Sequence, residues 1–305
     1  MGLSRSSIAF LMAEAARRPF SGRILMLGLQ SLLITEEEIE EVAHEQGVKL
    51  RDAPETIRQR TLQPGCASAE YLFYRLGFDE VLATDVSEFE GADLVLDLNQ
   101  LCVAPDQKGQ YDVVLDGGTL EHVFHLPNAL QNVIDFTAVG GRFIHIGPSS
   151  NHLDHGFYMF SPTLFWDFFT ANGLDIQTFY LLRYNLLTAA REKWLYGEYE
   201  PGALDNATGT LDVGTYALSL VVEKPTEVGE ITIPQQSMYK RIWSAAESSA
   251  GQQQPTPSPQ IRPKPITLWR SGPRKWLFHK LPPGLRLWLK AIRRNRFPLT
   301  KQRWM

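Results

Sequence analysis

The chain has 305 residues, of which 44% are hydrophobic and 21% are charged, values that are ordinary for a soluble globular protein. The two cysteines argue against a disulfide framework and for a reducing compartment. The sequence has no run of 18 apolar residues, which excludes a membrane-spanning helix, and its first residues lack a secretory pattern. We therefore expect a cytoplasmic protein.

The net charge of −4 is an average over two unlike parts. Residues 262–305 contain 13 Lys and Arg and no Asp or Glu, whereas the rest of the chain contains 17 basic and 34 acidic residues. The body of the chain therefore carries a net charge of −17. An acidic body with a basic tail requires a separate interpretation of each part.

Helical and strand-like patterns alternate along the first half of the chain. Apolar residues at helical spacing predict helices at residues 6–18, 35–47, 67–76 and 126–138. Short apolar runs that end on glycine or a polar residue predict strands at residues 23–28, 80–84, 93–96, 111–115 and 142–146. This alternation predicts a parallel, doubly wound α/β sheet.

The second half of the chain has a different composition and a less regular order of predicted elements. Ser161 and Pro162 predict a helix start, with proline at the first helical position. Two later strands are predicted at residues 176–183 and 216–223, on either side of an aromatic and acidic insertion. Residues 248–265 are rich in Ser, Gln and Pro and cannot bury enough apolar surface to fold. We therefore expect one domain at residues 1–225, a disordered linker at 226–262 and a basic aromatic tail at 263–305.

Polar residues and glycines follow the predicted strands, and ligands of open α/β sheets bind at the carboxyl ends of the strands. Gly28 and Gln30 follow the first strand, Asp85 the second and Asp97 the third. A carboxylate can accept hydrogen bonds from both ribose hydroxyls, which favours Asp85 as a ribose ligand. Asp97 can accept from an adenine amino group. The competing interpretation is that each acid caps a helix or turn.

The most informative motif runs from Asp116 to His122 and reads Asp-Gly-Gly-Thr-Leu-Glu-His. Its two glycines allow a backbone to approach a ligand closely. A strand that ends in an acid and is followed by Leu-Glu-His resembles the fourth-strand motif of the class I S-adenosylmethionine-dependent methyltransferases. The run Gly-Gly-Arg-Phe-Ile-His-Ile at residues 140–146 is similar to the turn into strand five of that family.

The resemblance covers about residues 22–223 and implies a Rossmann-like sheet of seven strands, with S-adenosylmethionine as the cofactor. It implies a cofactor site at the strand ends, formed by Gly28, Gln30, Asp85, Asp97, Asp116, Gly117 and Glu121. The glycine-rich loop of the family is reduced here to Gly28, and Gln30 stands where a glycine is expected. Either Gln30 holds the cofactor with its side chain, or the cofactor is not held.

The segment after the fifth strand lies where an acceptor should meet the methyl group. Methyl transfer is an in-line displacement, so the protein mainly positions the reactants and supplies a base if the acceptor carries a proton. The ordinary pKa of histidine suits such a base, which favours His155 and His152, with Asp154 as an orienting partner. The alternatives are a loop stabilised by polar caps and, less favoured, a metal held by these three residues; we predict no metal.

Two further histidines have more conventional interpretations. His122 stands at a predicted helix start, which favours a structural role or a contact with the edge of the cofactor. His145 lies within a predicted strand and is expected to be a core residue. Aromatic residues such as Phe157, Tyr158 and Trp194 could line an apolar or sugar-binding wall, or simply belong to the core.

The tail interleaves Lys and Arg with Trp and Leu, which is typical of a segment that binds an anionic membrane surface. Contact with the acidic body is the main alternative, and nucleic acid is disfavoured because no groove-reading motif accompanies the charge. The sequence as a whole predicts methyl transfer to a small-molecule or saccharide acceptor. The alternatives are a catalytically inactive methyltransferase-like scaffold and a peripheral membrane protein that acts through its tail.

Overall fold

The computed structural model describes residues 2–54, 56–57, 59–60, 63–185, 187–202, 211–212, 214–250 and 303–304. The chain forms two compact units. The first comprises Met1–Pro201, Gly214–Pro234 and Leu299–Met305, and the second comprises Gly202–Val213 and Gln235–Pro298. The sheet and all the site residues predicted above lie in the first unit. Most of the basic tail predicted at residues 263–305 lies outside the described residues, which include only 303–304 of it.

A single mixed sheet organises the first unit, with its strands in the order β3-β2-β1-β4-β5-β8-β6-β7-β9. The strands are β1 Arg23–Leu27, β2 Glu80–Asp85, β3 Leu94–Val95, β4 Tyr111–Asp116, β5 Thr137–Ser150, β6 Asp175–Tyr184, β7 Leu195–Glu198, β8 Thr215–Glu223 and β9 Arg303–Trp304. Strands β1 to β5 are mutually parallel, and β8 runs antiparallel between β5 and β6.

The doubly wound α/β class is confirmed, since the parallel strands follow the Rossmann order 3-2-1-4-5. All seven strands predicted from the sequence are present, and the apolar runs of the central strands β1, β4 and β5 are largely buried in the sheet. The sheet has nine described strands instead of seven, because β7 and β9 extend its far edge. Strand β7 lies within the stretch that the sequence presented as an insertion.

The helices are α1 Arg5–Arg17, α2 Glu36–Gln46, α3 Ala69–Leu76, α4 Leu126–Phe136, α5 Pro162–Ala171 and α6 Ser237–Ala250, with 3-10 turns at Pro105–Gln107 and Leu120–His122. Local sequence fixes several of their ends. The capping box of Thr35 and Glu38 opens α2, and Gly47 ends it in the left-handed conformation. The Leu-Glu-His triplet forms a separate 3-10 turn, and α4 begins only at Leu126.

A buried ion pair joins α1 to β5. Glu14 and Arg142 are each only 4% exposed, and Arg142 Nη1 donates to Glu14 Oε1 at 2.7 Å. Arg142 also donates to the carbonyls of Arg18 and Pro19, so its guanidinium is well compensated. Burial lowers the pKa of Arg142 from its usual value, and Glu14 opposes that shift.

Helix α6 belongs to the second unit and occupies part of the range predicted as linker. The residues from Ser237 to Ala250 include Met, Lys, Arg, Ala and Glu, which favour a helix. Tyr239 and Trp243 stack on one another one turn apart, with ring centroids at 6.1 Å. No helix in the part of the chain that the structure describes is long and apolar enough to cross a membrane.

Candidate cofactor and acceptor site

Three strand ends meet at the centre of the sheet. Leu27, the last residue of β1, is in register with Thr84 of β2 on one side and with Asp116 of β4 on the other. The residues that follow, Gly28, Asp85 and Gly117, are therefore neighbours at the carboxyl edge of the sheet. This edge is the ligand-binding edge of an open α/β sheet, next to the point where strand order reverses.

Gln30 fills the space that a glycine-rich loop would leave open. The side chain is buried, and its Nε2 donates to the carbonyls of Leu27 at 2.9 Å and of Gly28 at 3.2 Å. Its Oε1 is buried and has no hydrogen-bond partner in the part of the chain that the structure describes. A Cβ atom at Gly117 would overlap this oxygen and lie 2.9 Å from Gln30 Cδ. The side chain is thus folded back on its own loop and packs against Gly117.

Of the two acids predicted to hold ribose and adenine, Asp85 is the last residue of β2, and Asp97 follows β3. Asp85 is half-buried, and its Oδ1 accepts from the backbone N–H of Ser87 at 3.1 Å. Asp97 Oδ1 accepts from both the backbone and the side-chain nitrogen of Asn99, at 2.9 and 2.8 Å. These bonds to Asn99 hold the pKa of Asp97 below its usual range. Each acid therefore caps the turn that follows it.

Asp116 is wholly buried and uses both carboxylate oxygens within the protein. Oδ1 accepts from the backbone N–H groups of Gly118, Thr119 and Leu120, and Oδ2 pairs with His145 Nδ1 at 2.6 Å. The structure therefore places this carboxylate in the turn rather than at the cofactor, because three orphan N–H groups at the turn need an acceptor. His145 is completely buried, as the strand pattern indicates.

Glu121 is the most unusual charged group of the region. Its side chain is completely buried, and neither carboxylate oxygen has a hydrogen-bond partner within the described residues. Its Oε1 lies 3.4 Å from His155 Nε2 and 3.9 Å from His122 Nε2. Burial, reinforced by the nearby charge of Asp116, raises the pKa of Glu121 to about 8.

The two candidate bases occupy different environments. His152 is 8% exposed, and its Nε2 lies 3.1 Å from the hydroxyl of Tyr184. Burial first, and the charge on His155 second, lower the pKa of His152. His155 is one third exposed, and burial and the charge on His122 lower its pKa. Both rings are therefore held in the neutral form at neutral pH.

Asp154 does not orient either histidine. It is exposed with a φ of +62°, and its carboxylate has no hydrogen bond or ion pair with any residue that the structure describes. Glu121 occupies the position beside His155 that was predicted for Asp154. The sequence contained Glu121 and His122 as neighbours, but it held no local signal that joined them to His155, since the contact spans the whole of α4 and β5.

The backbone carbonyl of Glu121 anchors the segment that follows β5. It accepts from the N–H groups of Phe157 at 2.8 Å and of Tyr158 at 3.2 Å. A Cβ atom at Gly156 would lie 2.8 Å from the same oxygen, so only glycine allows this close approach. The segment after β5 is therefore fastened to the 3-10 turn that carries Glu121.

Exposed apolar side chains border the histidines. Phe124 and Phe157 are 60% and 66% exposed and meet edge to face, with ring centroids at 5.5 Å. The hydroxyl of Tyr158 donates to the carbonyl of Phe124 at 2.7 Å. Of the other aromatics considered for a binding wall, Trp194 is buried in the core. Phe124, Phe157 and Tyr158 thus form one contiguous aromatic wall.

Comparison with known proteins gives only distant structural similarity. No protein-family model and no curated protein matches the sequence. The YcgJ protein from Bacillus subtilis is 12% identical, with a TM-score of 0.38 over 71% of this chain and 98% of that one. The geranyl diphosphate C-methyltransferase from Streptomyces coelicolor A3(2), solved with Mg²⁺, geranyl diphosphate and S-adenosyl-L-homocysteine, is 11% identical. Its TM-score is 0.35 over 72% of this chain and 77% of that one.

A third similar structure is a 16S rRNA methyltransferase from T. thermophilus, solved with AdoMet and guanosine. It is 12% identical, with a TM-score of 0.31 over 75% of this chain and 42% of that one. At these levels the similarity carries no argument about activity, and the fold assignment rests on the strand order of this chain. That order, with β8 reversed between β5 and β6, is a Rossmann-like sheet of the methyltransferase type.

Proposed function

We propose that the protein transfers a methyl group from S-adenosylmethionine to a small-molecule or saccharide acceptor. The observation that carries the proposal is the register of β1 with β2 and β4, which brings Gly28, Asp85 and Gly117 side by side at the ligand-binding edge. The resemblance of the Leu-Glu-His and Gly-Gly-Arg motifs to those of class I methyltransferases supports the same assignment.

The residues at this edge fit the chemistry of the cofactor. Asp85 has a carboxylate oxygen free to accept from the ribose hydroxyls, since only its Oδ1 is used by Ser87. Gln30 Oε1 is a buried acceptor without a hydrogen-bond partner among the described residues, which the ammonium group at the amino-acid end of the cofactor would satisfy. Asp97 is the acceptor that we assign to the adenine amino group, and Leu98 beside it is a buried apolar residue.

When bound, S-adenosylmethionine supplies an electrophilic methyl group. The contribution of the chain is to hold the acceptor in line and to take its proton. His155, which is neutral and one third exposed, is the residue we assign to the proton, because burial and the charge on His122 lower its pKa and leave its ring able to accept one. His152 lies 5.7 Å away, ring to ring, and supports the segment through Tyr184.

The exposed aromatic pair favours an acceptor with an apolar or planar face. Phe124 and Phe157 contact one another and are largely exposed, and such rings contribute through apolar burial and stacking. An isoprenoid or aromatic portion would use this wall fully, whereas a saccharide would stack only its apolar face. Within the proposed classes, the wall therefore favours a small molecule with an apolar portion.

Calorimetric titration of the full chain with S-adenosylmethionine and with S-adenosylhomocysteine tests the proposal. We expect binding of both, and a loss of about tenfold to a hundredfold in affinity for Asp85→Ala, because a hydrogen bond to a charged group contributes about 1.5–3 kcal/mol. Asp106→Ala is the matched control, since Asp106 is exposed on a 3-10 turn away from the strand ends. No binding to the folded parent would overturn the proposal and favour a catalytically inactive scaffold.

A further inference from the structure

The Glu121 carboxyl is buried, and a buried carboxyl group normally has a hydrogen-bonding or ionic partner. Both oxygens are shielded from solvent and lack a hydrogen bond within the described residues, although buried polar groups are almost always paired. Its neighbour Asp116, by contrast, satisfies both of its oxygens within the protein. A bound cation would compensate a buried carboxylate of this kind.

Two imidazole nitrogens approach the same carboxylate from different segments. His122 is the last residue of the 3-10 turn, and His155 lies in the segment after β5. One ligand atom from each of Glu121, His122 and His155 lies within 4.8 Å of the other two. His155 Nε2 is also buried and has no hydrogen-bond partner among the described residues. It is therefore a second unpaired polar atom close to the Glu121 carboxyl.

The spacing agrees with a metal-ligand set. Ligands at about 2.0–2.1 Å from a tetrahedral zinc ion lie about 3.4 Å from one another. The separation between Glu121 Oε1 and His155 Nε2 is 3.4 Å, and that to His122 Nε2 is 3.9 Å. The His122 side chain is 46% exposed, so it can move the remaining distance, and the open side leaves a coordination position for another ligand.

We propose that Glu121, His122 and His155 bind a divalent transition-metal ion of the zinc class. Two imidazoles with one carboxylate suit Zn²⁺ and related ions, whereas Mg²⁺ and Ca²⁺ prefer a shell of oxygens. Three protein ligands with one open position are typical of catalytic rather than structural zinc sites. The site differs from the set of His152, Asp154 and His155 that the sequence offered, because Asp154 is exposed and makes no hydrogen bond or ion pair with any described residue.

The ion would connect two segments that the Glu121 carbonyl already holds together. With the ion in place, His155 is a ligand rather than a base. An acceptor hydroxyl on the open coordination position would then be more acidic because the ion polarises it, and its proton would pass to solvent water. Metal binding itself requires neither the methyl donor nor the acceptor, so the inference stands apart from the proposed function.

The test uses the full chain without an affinity tag, treated with a chelator and dialysed. Zn²⁺ is titrated by calorimetry, and Co²⁺ is titrated by visible absorption, which reports ligand number and geometry. We expect one ion per chain, a Co²⁺ spectrum typical of four or five ligands with nitrogen among them, and a rise in Tm on metal addition.

Three variants and a control decide the outcome. Glu121→Gln keeps the shape of the side chain, and His122→Gln and His155→Gln each remove one imidazole. Each should weaken Zn²⁺ binding by at least about a hundredfold, since even outer-shell changes weaken metal sites by about 10–100-fold. His44→Gln is the control, because His44 is exposed in the last turn of α2.

Equal binding by the parent and Glu121→Gln would overturn the inference, as would failure of the parent to bind Zn²⁺ at micromolar concentration. The titration with S-adenosylmethionine is repeated on the chelated parent. Its result separates the two proposals, because cofactor binding without metal binding would refute only the metal site.

Discussion

The Oε1 atom of Gln30 faces Gly117 so closely that position 117 has no room for a side chain. We expect Gly117→Ala to destabilise the protein by about 1–3 kcal/mol, because the added methyl group overpacks a buried site. Gly229→Ala is the matched control, since nothing lies within 4 Å of a Cβ atom there and neither glycine has a positive φ. Urea denaturation measures both, and equal values would contradict the prediction.

Removing the Gln30 side chain should rescue the Gly117 variant. In the double variant Gln30→Ala, Gly117→Ala, the added methyl group no longer meets the amide oxygen. We expect the double variant to be more stable than the sum of the single effects predicts, with a coupling energy of about 1 kcal/mol or more. A coupling energy near zero would show that the two residues do not contact one another as described.

The ion pair between α1 and β5 should be needed for stability. Glu14→Ala leaves the Arg142 guanidinium buried without its carboxylate, and we expect a loss of about 3 kcal/mol in the free energy of unfolding. Glu223→Ala is the comparison, because Glu223 pairs with Arg18 at a partly exposed position. Exposed pairs contribute about 0–1 kcal/mol, so a comparable loss in both variants would contradict the argument.

Acidification should destabilise the protein partly through His152. Its pKa in the folded chain is lowered by burial and by His155, so stability is present above its unfolded pKa of about 6.5 and is lost as the pH falls through the folded value. His152→Gln should therefore lose less stability than the parent between pH 8 and 5.5. Glu121, whose raised pKa acts with the opposite sign, is common to both proteins.

Unfolding free energies of the parent and of His152→Gln, measured with urea across this pH range, check the prediction. His44→Gln should follow the parent, because His44 is exposed. If His152→Gln and the parent show the same slope, the neutral form of His152 makes no contribution to stability.

The basic tail should bind anionic membranes. Replacing Lys and Arg at residues 262–296 by Gln removes eleven of the thirteen basic charges but keeps β9, whose Arg303 and Trp304 pair with β7. We expect the parent to sediment with vesicles that contain phosphatidylserine and the neutralised chain to remain in the supernatant, because each basic residue near such a surface contributes about 1 kcal/mol. Equal sedimentation would leave contact with the acidic body as the better interpretation.

The sheet was predictable because its central strands are buried on both faces, and continuous apolar runs are their signature. β1 shows this well, since four of its five residues are buried. Strand β7 escaped prediction because its Leu-Tyr-Gly-Glu sequence is short and mixed, and only pairing with β6 makes it a strand. Helix α6 escaped because the polar composition around it concealed a run of good helix formers.

The positions of site residues could be predicted from the sequence only where those residues lie at the end of a strand. Gly28 and Asp85 follow from local sequence, because a strand carries its next residue to the sheet edge. The roles of Asp116 and Glu121 depend on which groups surround them. The two carboxyl groups lie five residues apart in the sequence but differ in their hydrogen bonding. One is fully satisfied by turn N–H groups and His145, while the other lacks hydrogen bonds and faces two histidines.

The carbonyl of Glu121 holds the segment after β5 through backbone hydrogen bonds, which do not depend on the side chains that border it. Phe157 can therefore change identity without loosening the segment, since its backbone N–H donates to that carbonyl and the neighbouring Gly156 permits the close approach. Under the proposed function, duplicated copies of such a gene could diverge in acceptor preference through this exposed position. The fastening point would stay constant while the range of substrates shifts.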